Sequence, residues 1–301
     1  MLLHDKARAK VNLTLAVLGR RADGFHVLDS LVAFAGIADE LSLEPGRQLS
    51  LTVNGPTAAH AGAVADNLVI KASSILARLR PGLTLGHFHL TKNLPAAAGI
   101  GGGSSDAATA LRLLARANGL SLADPAVIQA ARGTGSDVPV CLAAETRWMR
   151  GAGENLSPSV ALPPLAAVLV NPRVATPTGE VFRALALAPG DIKPYDEALP
   201  VAIARTTDIA ALIDTIAGGV NDLESSSINL RPIIGEALSL MRAQTGCRLA
   251  RMSGSGATIF GLFERGSEGA LARDHIAGAH PDWWVEATIL GMAHAQGQER
   301  W

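Results

Sequence analysis

A chain of 301 residues is longer than one hydrophobic core usually organises, so two domains are expected. Its 48% hydrophobic and 18% charged residues exclude a disordered chain. A formal net charge of −1 excludes the basic field that gathers nucleic acid or an anionic membrane surface. Only five of the 26 basic residues are lysines (Lys6, Lys10, Lys71, Lys92 and Lys193), so a lysine in an otherwise apolar stretch calls for an explanation. Cys141 and Cys247 match no metal-ligand spacing and are expected as reduced, buried thiols. The opening segment MLLHDKARAK lacks the apolar core of a signal peptide, and no run approaches the ~18 apolar residues of a membrane helix. A cytoplasmic chain is expected.

From Lys10 onward apolar and polar residues alternate: Val11, Leu13, Leu15 and Val17 against Lys10, Asn12, Thr14 and Ala16. This predicts a half-buried strand. Asp23-Gly24 signals a turn and Leu28–Ala35 a returning strand. Short strands follow at Leu41–Leu43 and Leu49–Val53. Asp66 is placed to cap a helix carrying Val69, Ile70, Leu76 and Leu79. A strand over Leu83–Leu90 leads into the loop Lys92–Gly103 and an alanine-rich helix, Ser104–Asn118, stopped by Gly119. Asp124-Pro125 opens another helix. The Pro/Ser stretch Ser157–Pro164 is the strongest boundary, dividing the chain into 1–160 and 161–301. Beyond it come a strand (Ala166–Val170), helices near Gly179–Leu187, Thr207–Ala217 and Pro232–Gln244, strands near Leu249–Met252 and Ala257–Phe263, and a terminal helix–strand pair. This mixture predicts an α+β fold rather than regular βα alternation.

The central signal is Leu94-Pro-Ala-Ala-Ala-Gly-Ile-Gly-Gly-Gly-Ser-Ser-Asp-Ala-Ala. Glycines at 99, 101, 102 and 103 permit positive φ and bring successive N–H groups close to a ligand. The helix that follows aims its unpaired N–H groups and positive dipole end at the same point, and Ser104 and Ser105 add hydroxyls for phosphate or metal. Polyphosphate suits this arrangement. A P-loop is excluded because no lysine follows Gly103. The dinucleotide fingerprint is excluded because Ser104 stands where its last glycine is needed. A flexible linker is the bland alternative, but linkers do not usually run into a strongly patterned helix.

The run Pro95 to Ala107 resembles the second motif of the GHMP kinase superfamily, which includes galactokinase, homoserine kinase, mevalonate kinase and phosphomevalonate kinase. Ala9-Lys-Val-Asn-Leu-Thr-Leu with Gly19-Arg-Arg-Ala-Asp-Gly-Phe-His resembles the opening of the 4-diphosphocytidyl-2-C-methyl-D-erythritol kinase family, and Gly135-Ser-Asp-Val-Pro-Val its catalytic-aspartate segment. Met252-Ser-Gly-Ser-Gly-Ala-Thr-Ile-Phe resembles the third glycine motif, and Asn221-Asp-Leu-Glu a further run of that family. The resemblance implies a two-domain GHMP-kinase fold, with a ribosomal-protein-like N-terminal domain (1–160), a ferredoxin-like C-terminal domain (161–301) and an unusual βαβ crossover. It also implies phosphorylation, by ATP with Mg²⁺, of a small cytidine-bearing alcohol in the non-mevalonate isoprenoid pathway, with neither nucleic acid nor membrane as partner. The alternatives are another kinase of the superfamily or a non-catalytic nucleotide-binding relative.

By the same resemblance Lys10 and Asp137 are catalytic. Pro95, Ala96, Ala97, Ala98, Gly99, Ile100, Gly101, Gly102, Gly103, Ser104 and Ser105 hold the nucleotide, with Asn67 near adenine. Asn12 lies beside the catalytic pair, and Phe25, His26 and Phe182 form the cytosine pocket. Each has a plainer reading: a strand-start lysine, a turn-capping aspartate, a helix-cap asparagine, a core phenylalanine. Gly254, Ser255 and Gly256 form a second tight loop bordering the site, which a hairpin turn would equally explain. No carboxylate pair names the metal ligands, and Ser105 is a weak candidate.

Overall fold

The computed structural model describes residues 1–60, 62–190, 192–195, 197–206 and 208–291. Its strands and helices are, in chain order, β1 (Leu3–Asn12), β2 (Ala16–Arg20), β3 (His26–Gly46), β4 (Ser50–Asn54), α1 (Leu68–Leu79), β5 (Leu85–Thr91), α2 (Gly102–Ala117), α3 (Pro125–Thr134), α4 (Val138–Ala143), β6 (Arg147–Gly151), β7 (Asn155–Leu156) and β8 (Leu165–Asn171). There follow α5 (Thr178–Ala184), α6 (Ala198–Arg205), α7 (Ile209–Ala217), α8 (Glu224–Leu230), α9 (Ile233–Arg242), β9 (Cys247–Met252), β10 (Ile259–Phe263), α10 (Gly266–Ala279) and β11 (Trp284–Leu290). Packing divides them into two compact units built from non-contiguous segments. The first comprises Met1–Lys10, Ile37–Ala96 and Gly101–Ala143; the second comprises Val11–Gly36, Ala97–Ile100 and Ala144–Trp301. Strands β1 and β3 pass through both.

In the first unit the C-terminal half of β3 pairs antiparallel with β5, from Glu40↔Thr91 to Gly46↔Leu85. β4 joins β5 in parallel, so the connection through α1 is a crossover. Helix α2 is buried from Ser105 through Ala115 and meets α1, α3 and α4. A helix covered on every side is a core helix, and its alanines let three neighbours approach closely. Asp124 accepts the Ala126 N–H at 2.8 Å ahead of Pro125, as its sequence signal requires.

The second unit holds the antiparallel order β11-β8-β10-β9. Numbering β8, β9, β10 and β11 as first to fourth gives 4-1-3-2, with helices after the first and third: the ferredoxin-like βαββαβ pattern. The core of this unit joins Val168, Val170, Ile259 and Phe263 of the sheet to Leu238 and Met241 of α9 and Ile276 of α10. Strands β2 and β6 pair antiparallel with the first part of β3.

Several expectations change. The alternation from Lys10 to Val17 is not one half-buried strand: β1 ends at Asn12 and β2 starts at Ala16, and Lys10, Asn12 and Thr14 are each at most 3% exposed, because their polar side chains find partners inside. Leu28–Ala35 and Leu41–Leu43 form one continuous strand, β3. The cap of α1 is Asn67, whose Oδ1 accepts the Val69 N–H at 2.9 Å, while Asp66 ends a short 3-10 turn. Helix α2 starts at Gly102, inside the glycine run. Strand β6 and helices α6 and α8 were not expected from the sequence, and Thr207 lies outside the described residues. Cys141 is buried as expected, but Cys247 is only partly so. Burial pushes the two thiols up to about 12 and about 11, keeping both protonated.

Candidate active site

In the first unit, Lys10 Nζ donates to Asp137 Oδ2 at 2.8 Å. The lysine side chain is 4% exposed and the carboxylate 31%. Asp137 precedes α4 and its backbone carbonyl accepts the Cys141 N–H, yet its side chain reaches across to β1. That answers the turn-cap reading, since a cap would spend its oxygen on its own helix. The ammonium contacts one carboxylate oxygen and leaves the rest of the group accessible.

Gly101 lies directly against the Lys10 side chain. It is the N-cap of α2, at φ +62° with no side-chain cap, so the first-turn N–H groups are left for a ligand. A β-carbon there would stand 3.2 Å from Lys10 Cβ and Cε, so glycine lets the helix start settle on the lysine. Ser105 differs from the expectation. Its Oγ donates to Arg8 O at 2.7 Å and lies 3.3 Å from Cys141 Sγ, and its N–H donates to Gly101 O. At 2% exposed, it fastens α2 to β1. Arg112, deeper in α2, binds Asp5, Lys6 O, Thr109 Oγ1, Cys141 O and Leu142 O. The elements carrying Lys10, Asp137 and the glycine run are thus riveted together from behind.

A second cluster in this unit escaped the sequence reading. Lys92 donates to Asp39 and, at 2.7 Å, to Asp106. Asp39 also accepts the N–H groups of Asn93 and Leu94. Burial lifts Asp106 to about 8, with Lys92 pulling it down and Asp39 adding to the rise. Burial opposes the charge on Lys92, but the two carboxylates outweigh it and its pKa is raised. The available signal was the scarcity of lysine and an aspartate inside an alanine-rich helix. Asn67 uses its Oδ1 as a helix cap.

In the second unit the two glycine loops meet. Gly99 sits at φ +75°, where a β-carbon would fall 2.4 Å from Ser253 O, and a β-carbon on Gly254 would fall 2.7 Å from Gly99 O. Ala97, at φ +48°, holds a left-handed conformation that costs an ordinary residue about 1–3 kcal/mol and tends to persist at functional sites. Asn12 donates through Nδ2 to Ser30 Oγ at 2.7 Å, while its Oδ1 is buried without a partner, a demand that a ligand hydroxyl or water would meet. Phe25, on the tip after Asp23-Gly24, is 60% exposed. The rings of His26 and Phe182 lie 4.6 Å apart at 31°. Phe182 also packs against the core, as its plainer reading expects. Burial, then the charge of Arg20, lowers the pKa of His26, leaving a neutral ring able to donate and accept. Ser255, in the third glycine motif, meets Thr178 at 2.9 Å.

Among the described residues no group of three or more His, Cys, Asp or Glu side chains is placed to hold a metal ion, and the Ser105 hydroxyl is already committed to the chain. No helix of the described residues is long and apolar enough to cross a membrane.

The chain matches the model of the GHMP kinases N terminal domain over residues 67–145 and that of the GHMP kinases C terminal domain over 202–281. It is 56% identical over 290 residues to the 4-diphosphocytidyl-2-C-methyl-D-erythritol kinase of Methylobacterium radiotolerans, covering 96% of this chain and 99% of that protein. A crystal structure of 4-(cytidine 5'-diphospho)-2C-methyl-D-erythritol kinase superposes with a TM-score of 0.74 at 34% identity, covering 96% of this chain and all of that one. Homoserine kinase from Cytophaga hutchinsonii shares the fold at a TM-score of 0.70 and 16% identity, covering 97% and 96% of the two chains. The chain belongs to the GHMP kinase superfamily and, within it, to the 4-diphosphocytidyl-2-C-methyl-D-erythritol kinase family.

Proposed function

We propose that this chain transfers the γ-phosphoryl group of ATP to the 2-hydroxyl of 4-diphosphocytidyl-2-C-methyl-D-erythritol, giving the 2-phosphate and ADP, in the non-mevalonate route to isoprenoid precursors. The observation that carries the chemistry is the Lys10–Asp137 pair seated against the uncapped start of α2. The alcohol oxygen attacks the γ-phosphorus, the bond to the β,γ-bridging oxygen breaks, and the alcohol proton passes to Asp137. Phosphoryl transfer asks the protein mainly for position and charge, so Asp137 orients the hydroxyl and takes its proton as the new bond forms. Lys10 steadies that carboxylate and the charge on the moving group. Backbone N–H groups of Gly99–Ser104 cradle the phosphates, Ser105 fastens that loop to β1, the preceding Pro95–Ala98 shape it, and Asn67 lies toward adenine.

Phe25, His26 and Phe182 supply the choice of acceptor: a ring to stack on the cytosine and a neutral imidazole to hydrogen-bond it. Asn12 offers its unpaired Oδ1 to the substrate. Mg²⁺ bound with the nucleotide would neutralise phosphate charge during the transfer. Residues 1–160 form the ATP-binding half and 161–301 the second half in the functional division we propose, and the enzyme works in the cytoplasm. An ADP-release assay across a panel of alcohols tests the reading. ADP is expected with the cytidine-bearing alcohol and not with homoserine or mevalonate; release with either of those instead, or with no acceptor in the panel, overturns it.

A further inference from the structure

The run Asn221-Asp222-Leu223-Glu224 has no part in the chemistry above, yet in the second unit it is tied to the third glycine motif at several points. Asn221 Nδ2 donates to Met252 O at 2.7 Å and to Gly254 O at 2.9 Å. Its Oδ1 accepts the Leu223 N–H at 3.0 Å, which fixes the orientation of the amide. Glu224 Oε2 accepts the Met252 N–H at 2.9 Å, and Ser227 Oγ donates to Ser255 O at 3.0 Å. Asp222 meanwhile accepts the Val17 N–H at 2.7 Å, anchoring the run to the chain beyond β1.

The two carbonyls held by Asn221 flank Ser253. That residue donates its hydroxyl to Gly99 O at 3.0 Å, and the Thr258 N–H reaches Ala98 O at 3.0 Å. Gly99 and Gly254 touch backbone to backbone with no space for a β-carbon on either. A shift of the 253–256 loop must therefore move Gly99, because close-packed backbones transmit displacement.

We propose that Asn221 is a positioning residue for the phosphate-binding loop, clamping Met252 O and Gly254 O and through Ser253 setting Gly99 for the nucleotide. This rests on the reading of Gly99–Ser105 as the ATP loop. Asn221 also borders a cavity of about 510 Å³, together with Glu224, Arg242 and Arg251, which gives a substituted side chain room to relax.

The test compares Asn221→Ala, Asn221→Asp and Ser253→Ala with Leu238→Ala, a truncation in the α9 core that removes none of these hydrogen bonds. ADP affinity is read by calorimetry without acceptor, beside melting temperature and the two Michaelis constants. Loss of two backbone-directed hydrogen bonds should weaken ADP binding and raise the KM for ATP about tenfold, with the acceptor KM within about twofold. Asn221→Asp, which sets a carboxylate oxygen against two carbonyls, should do so most. Ser253→Ala should repeat the pattern with Asn221 intact, and Leu238→Ala should lower the melting temperature without it. Unchanged ADP affinity in folded Asn221 and Ser253 variants overturns the proposal alone, as does a loss shared equally by both substrates and by Leu238→Ala. An unaltered chain that binds neither ADP nor ATP overturns the reading of the loop as well.

Discussion

Two lysine–carboxylate clusters stand beneath consecutive glycines of one helix start. A β-carbon on Gly101 would stand 3.2 Å from Lys10, and one on Gly102 would stand 3.6 Å from Lys92 Nζ. The chemical groups are the same and the settings opposite. Asp137 keeps 31% of its side chain exposed beside Lys10, whereas Asp39 and Asp106 are 0% and 3% exposed around Lys92. A carboxylate that can be reached, beside a buried ammonium, can meet a substrate. Carboxylates sealed in with their lysine hold structure, tying β3 and the end of β5 to α2. Access separates a reacting group from a strut.

The sharpest way to break this distinction is Asp137→Asn. It should lower kcat by ~10²–10⁴-fold, with both Michaelis constants and the melting temperature close to those of the unaltered chain. Near-normal turnover would remove Asp137 from the chemistry. Lys92→Met should do the reverse. It strands two carboxylates in the interior, and breaking a buried pair in this way costs about 3–5 kcal/mol, read as a lower denaturant midpoint, while kcat per folded molecule stays within a fewfold. A large fall in kcat with stability intact would mean that the buried cluster takes part in catalysis.

Exposure can be tested without charge at Phe25, which is 60% exposed. Phe25→Ala should cost about 1–3 kcal/mol of base stacking, raising the KM for the cytidine-bearing alcohol and leaving that for ATP unchanged; equal harm to both would point to misfolding. The smallest effect on turnover belongs to Asp106→Asn, whose readout is the pH dependence of stability. In the folded chain Asp106 holds its proton to about 8, against an ordinary 3.8. Its stabilising contribution is therefore complete below the ordinary value and is lost as pH rises toward 8. The amide copies the protonated acid, so the variant should lack that decline between pH 4 and 8 in denaturant titrations. An unchanged slope would place the ionisation elsewhere.

Much of this was legible along the chain. The cap at Asp124-Pro125, the glycine run, the Asp-Val-Pro segment and the Gly-Phe-His turn are local patterns, and local backbone chemistry decides where a turn forms or a helix begins. The family match, resting on several such patterns in order, identified Lys10 and Asp137 together. What sequence reading missed was long-range or depended on burial. Lys92 meets Asp39 across 53 positions, and alternation in β1 cannot show that its polar face is covered too. Ser105 reads as a phosphate ligand until Arg8 O is found within 2.7 Å of it.

By itself, then, the sequence determined the family, the α+β mixture and the kinds of group able to bind phosphate and accept a proton, because these depend on residue type and short spacing. Only the tertiary structure decided which carboxylate is open and which is sealed, which serine is spent on the backbone, and why Asn221 is needed 122 positions from Gly99. Solvent access and hydrogen-bond satisfaction are properties of the packed chain, set by residues that meet only after it folds.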